Sequence, residues 1–366
     1  MKPRRALERP PIEVTPPVKP AAKTRSARKP APALDFTGGW DYAPAPESVK
    51  PLIRAEYGLF IDGKWSRAAD GRTFETINPA TEKPLARVAE ASAADVDRAV
   101  RAARRAYEKV WSKTSGADRG KYLFRIARLI QEKSRELAVL ETMDGGKPIR
   151  ESRDVDLPLV AAHFFYYAGW ADKLAYAFPG RTPRPLGVAG QIIPWNFPLL
   201  MLAWKIAPAL ACGNTVVLKS AETTPLSAYF LASICEEVDL PPGVVNIISG
   251  AGATGSALVR HPDIDKIAFT GSTAVFNSIV ETVGRGSGRY RNYPRLVGET
   301  GGKNFILVHE SADLPAVVTA VVRGAFEYQG QKCSAASRIF LPRSLSKAFF
   351  EMVSAEIDSV SVGDVS

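Results

Sequence analysis

Val188-Ala189-Gly190-Gln191-Ile192-Ile193 and, further on, Thr215-Val216-Val217-Leu218 are short apolar runs without the in-out alternation of a half-buried strand. Val244–Ile248 and Ile267–Phe269 repeat the texture, and the segments between them, near 199–211, 226–238 and 253–260, have helical composition. Strands apolar on both faces and separated by helices predict an α/β fold built on a parallel, doubly wound sheet. Such a sheet binds its ligand outside the carboxyl ends of its strands. The residues that follow each run are therefore where chemistry is expected.

Upstream, Leu59-Phe60-Ile61, Asp62-Gly63 and Lys64-Trp65 carry a hairpin signal. A helix is expected from Ser92, with Asp95 in a capping-box position, to about Val110. A second is expected over about 117–142, with Leu123, Ile126, Leu129, Ile130 and Leu137 on one side, and a third over about 154–176. Downstream come a strand at Phe305–Val308, a helix at 313–328, a loop, a strand at Arg338–Leu341 and a last helix at 344–358. The domain reading is a basic tail over 1–50, a nucleotide-binding domain over 51–298 and the beginning of a catalytic α/β domain over 299–366.

The net charge of +10 is concentrated at one end, since residues 1–34 hold nine Lys/Arg against two Glu. Residues 1–50 contain ten prolines, a composition with little to bury that reads as a disordered, solvated tail. The basic signal therefore belongs to a tail and not to a folded nucleic-acid-binding face. The N-terminus has no apolar core of a secretory signal, and the most membrane-like stretch, Phe197 to Cys212, is interrupted by Lys205 and two prolines. Three widely spaced cysteines, Cys212, Cys235 and Cys333, support neither a disulfide framework nor a zinc site, and imply a reducing, cytoplasmic setting.

Cys333 follows Gly330-Gln331-Lys332, and Glu299 lies upstream in Gly298-Glu299-Thr300-Gly301-Gly302. No histidine lies within twenty residues of Cys333, so a thiol nucleophile there would be served by a carboxylate base. Cys212 and Cys235 sit in apolar helical surroundings and read as inert. Asn196, in Ile193-Pro194-Trp195-Asn196-Phe197-Pro198, offers an amide that can donate to an oxyanion, or is an ordinary turn residue. Lys219 and Glu222, just past a strand, can bind ribose hydroxyls, and the carboxylate would repel a 2′-phosphate, favouring NAD over NADP. Gly250-Ala251-Gly252-Ala253-Thr254-Gly255 matches GxGxxG after a strand, a weak signal by itself. Gly271-Ser272 is a second candidate for pyrophosphate. Lys332 could attract an anionic substrate or be a solvated loop lysine.

Five segments together, Ile193–Pro198, Val217–Pro225, Phe269–Thr273, Glu299–Lys303 and Gly330–Ser334, resemble the aldehyde dehydrogenase superfamily. The resemblance covers roughly 55–366. It implies Cys333 as nucleophile, Glu299 as general base, and Asn196 with the backbone N–H of Cys333 as oxyanion hole. It also implies NAD held by Lys219, Glu222, Ser272 and Gly271, with Ile193, Trp195 and Gly252 alongside, while GxGxxG would not be a standard pyrophosphate cradle. An aldehyde substrate and a habit of homo-oligomerising follow from it as well.

The two halves resemble different branches. Residues to about 270, including Trp40–Pro46 and Pro179-Gly180-Arg181, are similar to a bacterial branch with a shortened oligomerisation hairpin near 177–187. The stretches Phe269–Asn277, Arg289–Arg295 and Phe326–Ser337 resemble 1-pyrroline-5-carboxylate (glutamate semialdehyde) dehydrogenases, so the chain reads as chimeric. It also reads as truncated, because a downstream Glu-Glu-Ile-Phe-Gly-Pro motif is absent. Three alternatives stay open: a catalytically incompetent nucleotide-binding protein, a nucleic-acid binder acting through the tail, and an enzyme releasing acyl-CoA.

Overall fold

The computed structural model describes residues 49–363 apart from 182, together with residue 365. The expectations for residues 1–48, including the run Trp40–Pro46 and nearly all of the basic tail, lie outside the described residues.

In chain order the strands Glu56–Tyr57 (β1), Leu59–Ile61 (β2), Lys64–Ser66 (β3), Thr73–Asn78 (β4) and Lys83–Ala89 (β5) come first. Helices Ala93–Lys109 (α1), Gly116–Glu132 (α2), Ser134–Gly145 (α3), Ile149–Glu151 (α4), Leu157–Trp170 (α5) and Leu174–Ala177 (α6) follow. The alternating half runs Val188–Ile192 (β6), Pro198–Ala211 (α7), Thr215–Ser220 (β7), Leu226–Glu237 (α8), Val245–Ser249 (β8), Gly252–Arg260 (α9), Lys266–Gly271 (β9), Thr273–Arg285 (α10) and Arg295–Thr300 (β10). Asn304–Leu307 (β11), Leu314–Phe326 (α11), Ala336–Phe340 (β12) and Arg343–Asp358 (α12) complete the order.

The expected doubly wound sheet is present, with strand order β10-β9-β6-β7-β8-β2-β3. The first five strands are parallel, and β2 pairs antiparallel with both β8 and β3. Both faces are covered, which is why the strands read as unbroken apolar runs. Along β7, Val216 and Leu218 enter a core with Leu199 and Leu202 of α7 and Leu226 of α8. Val217 points the other way, into a core with Val96 and Val100 of α1 and Leu258 of α9. Each fully buried side chain of this kind contributes roughly 1.5–3 kcal/mol relative to exposure.

The hairpin forms as expected, with Asp62 (φ 56°) and Gly63 (φ 70°) both in the left-handed region that a two-residue turn requires. Its place was not legible: Phe60 pairs with Ile247, so the hairpin extends the sheet beyond β8. The single helix expected over 117–142 is two helices. Lys133 leaves helical geometry (φ −99°, ψ 13°), so that α2 packs on α5 while α3 turns to meet α8. The helix expected over 154–176 is α5 preceded by a π-helical turn at Ser152–Asp156 and followed by the separate α6. The hairpin expected near 177–187 is not formed among the described residues there. Pro179, Pro183 and Pro185 remove three of the donors that a strand pair would need. β10 was not expected as a strand. It pairs in register with β9, Glu299 opposite Thr270, and runs across the boundary anticipated at 298/299.

Two smaller sheets complete the architecture, β1-β5-β4 and the parallel pair β11-β12. The latter is backed by α11 and α12 through Val318, Val321, Val322, Phe349 and Val353. The capping box at α1 is present as expected, with Ser92 accepting from the Asp95 N–H while Asp95 accepts from the Ser92 N–H at 3.0 Å. Asp95 also accepts from the Ala69 N–H at 3.1 Å, which ties α1 to the loop after β3. Ser92→Ala should lower unfolding free energy by about 1 kcal/mol, read as a fall in the urea midpoint with an unchanged slope.

Candidate active site

The carboxyl ends of β6, β7, β8, β9 and β10 lie along one edge of the sheet, and the expected site residues follow directly from them. Asn196 comes after β6, Lys219 is the penultimate residue of β7 with Glu222 just beyond, Gly252 opens the helix after β8, Gly271 ends β9, and Glu299 is the penultimate residue of β10. A cleft of about 630 Å³ opens here, and its lining includes Trp195, Glu222, Ala251, Asp144 and Gln331. Lys219, Gly252, Gly271, Ser272, Glu299 and Cys333 are not part of that lining.

Cys333 is exposed, on the loop between α11 and β12. That loop is reached through Tyr328 (φ 51°), Gln329 (φ 51°) and Gly330 (φ 69°). Left-handed backbone at two consecutive non-glycine residues costs on the order of 1 kcal/mol or more each and must be held by its surroundings. A Cβ on Gly330 would lie 2.8 Å from the Ala325 carbonyl oxygen, so this position requires glycine twice over. The Asn196 Nδ2 donates to the Gln331 carbonyl at 2.8 Å, and the Asn304 Nδ2 donates to the Cys333 carbonyl at 2.6 Å. An amide nitrogen carries two hydrogens, so Asn196 holds the Cys333 loop with one and has a second to give.

The other two cysteines behave as expected of inert thiols. Burial pushes Cys235 up to about 12 and also raises Cys212.

Glu299 is 46% exposed and accepts from the Thr270 hydroxyl at 3.2 Å. Lys205, on α7 and only 5% exposed, donates to the same hydroxyl at 2.5 Å and lies 3.9 Å from the Glu299 carboxylate. Burial pushes the Lys205 ammonium down, and Glu299 partly offsets this. Lys205 was not identified as a site residue from sequence, although a lone lysine inside the apolar stretch Phe197–Cys212 was a usable signal. A cation buried there needs a partner.

Lys219 donates to Glu222 at 3.2 Å, and burial likewise pushes Lys219 down against the pull of Glu222. Ile193 is buried, its N–H donating to the Lys219 carbonyl at 3.2 Å. Trp195 is exposed at the cleft. Ser272 caps α10, its hydroxyl accepting from the Val275 N–H at 3.3 Å. In the glycine-rich string, Gly250 has φ 155°, and a Cβ there would lie 2.2 Å from the Thr254 hydroxyl, which donates to the Ala91 carbonyl. A Cβ on Gly252 would meet nothing within 4 Å. Gly250 thus serves a packed turn, and Gly252 leaves the start of α9 open.

Lys332 is neither solvated nor available to an anionic substrate, since its ammonium donates to Glu151 and to Glu327, each at 2.8 Å. Burial opposes its charge, but the two carboxylates outweigh this and hold its pKa up. The Lys332 hydrogen bond, helped by Arg323, holds Glu327 down at about 2. Nearby, Lys147 is wholly buried with Glu141 and Asp156. Its ammonium stands 4.2 Å from the centre of the Phe197 ring and 4.9 Å from that of Tyr328. This cluster also escaped sequence reading. Among the described residues there is no acid, histidine and cysteine group suited to a metal, and no helix long and apolar enough to cross a membrane.

The aldehyde dehydrogenase family profile matches residues 65–366. Aldehyde dehydrogenase family 2 member B4, mitochondrial, of Arabidopsis thaliana is 44% identical over 89% of this chain and 62% of its own length. Human retinal dehydrogenase 2 is 46% identical over 82% and 60%. The NAD+ complex structure of an aldehyde dehydrogenase from Bacillus cereus superimposes with a TM-score of 0.81 at 39% identity, over 87% of this chain and 66% of that one. A carboxylate and a lysine–glutamate pair stand at the carboxyl ends of a doubly wound sheet, and a cysteine loop is tied to the segment that follows β6. The chain belongs to the aldehyde dehydrogenase family, and spans about 60% of the length of these curated relatives.

Asp144, at the cleft, accepts from the Thr76 hydroxyl at 2.7 Å and the Leu226 N–H at 2.8 Å, yet burial pushes its carboxyl up to about 7. A folded-state value above the unfolded one means that the protonated form favours folding. The contribution of Asp144 to stability should therefore decline as pH rises from about 4 to about 7 and level off above that. Denaturation of the unmodified protein and Asp144→Asn in parallel across that range measures this as a loss of stability with rising pH that the Asn variant does not share.

Proposed function

We propose that this chain serves the NAD-dependent oxidation of an aldehyde to a carboxylic acid, with Cys333 as nucleophile. The observation that carries the reading is the Asn196 amide bonded to the loop of Cys333, with a second N–H left over. Family membership supports the same chemistry.

The Lys219 ammonium and the Glu222 carboxylate form a donor and an acceptor at a strand end, the chemistry needed for two ribose hydroxyls, and Glu222 disfavours a 2′-phosphate. The start of α10, with Gly271 and Ser272, offers N–H groups to a pyrophosphate. NAD, when bound, supplies the hydride acceptor. The Cys333 thiolate adds to the aldehyde carbon, and the negative charge on oxygen is met by the free Asn196 N–H and the Cys333 N–H. One such donor is worth about 3 kcal/mol. Loss of hydride leaves a thioester on Cys333. Glu299 takes a proton from water, the resulting hydroxide attacks the thioester carbon, and the acid departs as the thiolate re-forms. Lys205 and Thr270 hold the Glu299 carboxylate in place for this step.

The substrate we infer is an uncharged aldehyde, of the kind in the names of the relatives retinal dehydrogenase 2 and benzaldehyde dehydrogenase. Lys332, beside the nucleophile, is neutralised by two carboxylates and offers nothing to an anion. Glutamate semialdehyde is the second reading, carried by the likeness of Phe269–Asn277 and Phe326–Ser337. Arg291, in the run that shares this likeness, is occupied by Glu108 at 3.2 Å.

An aldehyde panel with NAD, followed at 340 nm, tests the function, and turnover by Cys333→Ala would sink it. Glu299→Gln should give a burst of about one NADH per chain and then a rate lowered by about 10²–10⁴-fold. Asn196→Ala should lower kcat by about 10²–10³-fold without a burst.

A further inference from the structure

The reaction read above uses Cys333, Asn196 and Glu299, and leaves unexplained what holds a loop with unfavourable backbone geometry at a fixed place. Tyr328, Gln329 and Gly330 are all left-handed. Cys333 itself is exposed, so its own packing does not fix it. We infer that Lys332 is a positioning residue, whose ammonium, forked between Glu151 and Glu327, anchors the nucleophile loop to α4 and so sets Cys333 against Asn196. The inference rests on the reading of Cys333 as the nucleophile.

Three observations carry it. First, the fork spans distant parts of the chain, since Glu151 lies 181 residues from Lys332 while Glu327 lies five away, at the start of the strained turn. Lys332 therefore ties both ends of that turn to a separate element. Second, the element is rigid. Glu151 is buried and sits in a short helix that begins two residues after Lys147, itself locked by Glu141 and Asp156. Third, the Lys147 ammonium lies against Phe197 and Tyr328 together. Phe197 follows the oxyanion donor Asn196, and Tyr328 opens the nucleophile turn. One buried platform thus backs both halves of the oxyanion site, and Lys332 fastens the nucleophile half to it. With two carboxylates and one ammonium, mostly shielded from water, the fork is charge-assisted on both arms. Lysine next to a reactive thiol is thereby used for geometry, and not for recognition of an anion.

The test is hydrogen exchange on the full chain, following the peptide 328–335. Lys332→Met keeps the length of the stem and removes the charge. It should speed exchange of this peptide about 10-fold while α2 and α5 are unchanged, and Lys332→Arg should restore protection because a guanidinium can bridge both carboxylates. The double variant Glu151→Gln/Glu327→Gln should loosen the same peptide with Lys332 present, and adding Lys332→Met to it should change little more. If Met protects as well as Lys, or Arg fails to rescue, the stem merely fills space and the inference falls. Should Lys332→Met not fold, an unloosened peptide in the double carboxamide variant overturns it equally. Relative to the unmodified enzyme, kcat should fall about 10-fold in Lys332→Met at constant KM. An unmodified chain without aldehyde turnover but with this exchange pattern would refute the function and leave the anchor standing.

Discussion

The reversal of strand order beside β6 is the constraint on which the rest depends. From β6 the chain moves through β7 and β8 in one direction, then returns to lay β9 and β10 on the other side. Right-handed crossovers in opposite directions put their helices on opposite faces. The two cores show this: α7 and α8 pack into one, α9 and α10 into the other. Between β6 and β9 the two connections leave in opposite directions, the point at which a doubly wound sheet leaves its carboxyl edge uncovered. Asn196 leaves β6, Thr270 lies near the end of β9, and Glu299 stands opposite Thr270 on β10. Residues far apart in sequence become neighbours because topology leaves one edge open.

Three buried lysines bear on that edge. Lys205, Lys219 and Lys147 are all nearly or wholly enclosed, and each has a carboxylate partner. Desolvation works against an enclosed ammonium, and removing its partner costs more than the pair contributes to stability. Such pairs are weak evidence for stability but strong constraints on position. Lys205 fixes Glu299 through Thr270, Lys219 and Glu222 fix each other beside the end of β7, and Lys147 supports the rings of Phe197 and Tyr328. The three sites differ in exposure of the acid. Glu299 and Glu222 keep about half of their side chains in water, whereas Glu141 and Asp156 keep almost none. Water and substrate can reach the first two, which suits reacting or binding roles, and the last pair is confined to support.

Much of this was legible in the residues, and the gaps have physical causes. The strands β6 to β9 announce themselves because a strand covered on both faces must be apolar throughout. β10 did not, because Arg295-Leu296-Val297-Gly298-Glu299-Thr300 is an edge strand with mostly exposed side chains and no apolar run. The break at Lys133 carries neither glycine nor proline, and arises because α3 must turn toward α8. Cys333, Glu299 and Asn196 were singled out by motif, each within a short local run. The partners of Lys332 and Lys205 were not, because a salt bridge across 181 residues leaves no local trace. Lys332, open to an anion or to solvent on sequence alone, is instead held by two carboxylates.

The nucleophile loop shows how these levels combine. Three ties reach it from three different elements: Asn196 from the end of β6, Asn304 from the start of β11, and Glu151 from α4. Any one of them would leave the loop free to rotate about the contact, whereas three that do not lie on one element define a position. The Asn196 tie joins the loop to the segment between β6 and α7. The Asn304 tie links it to the segment that follows Glu299, so Glu299 and Cys333 share a frame. The Glu151 tie carries the loop back to the buried lysine platform. A loop so held can keep left-handed backbone at Tyr328 and Gln329, because relaxing it would break contacts on three sides at once. The thiol can then remain at the surface, open to substrate, while its backbone is as constrained as a residue in the core.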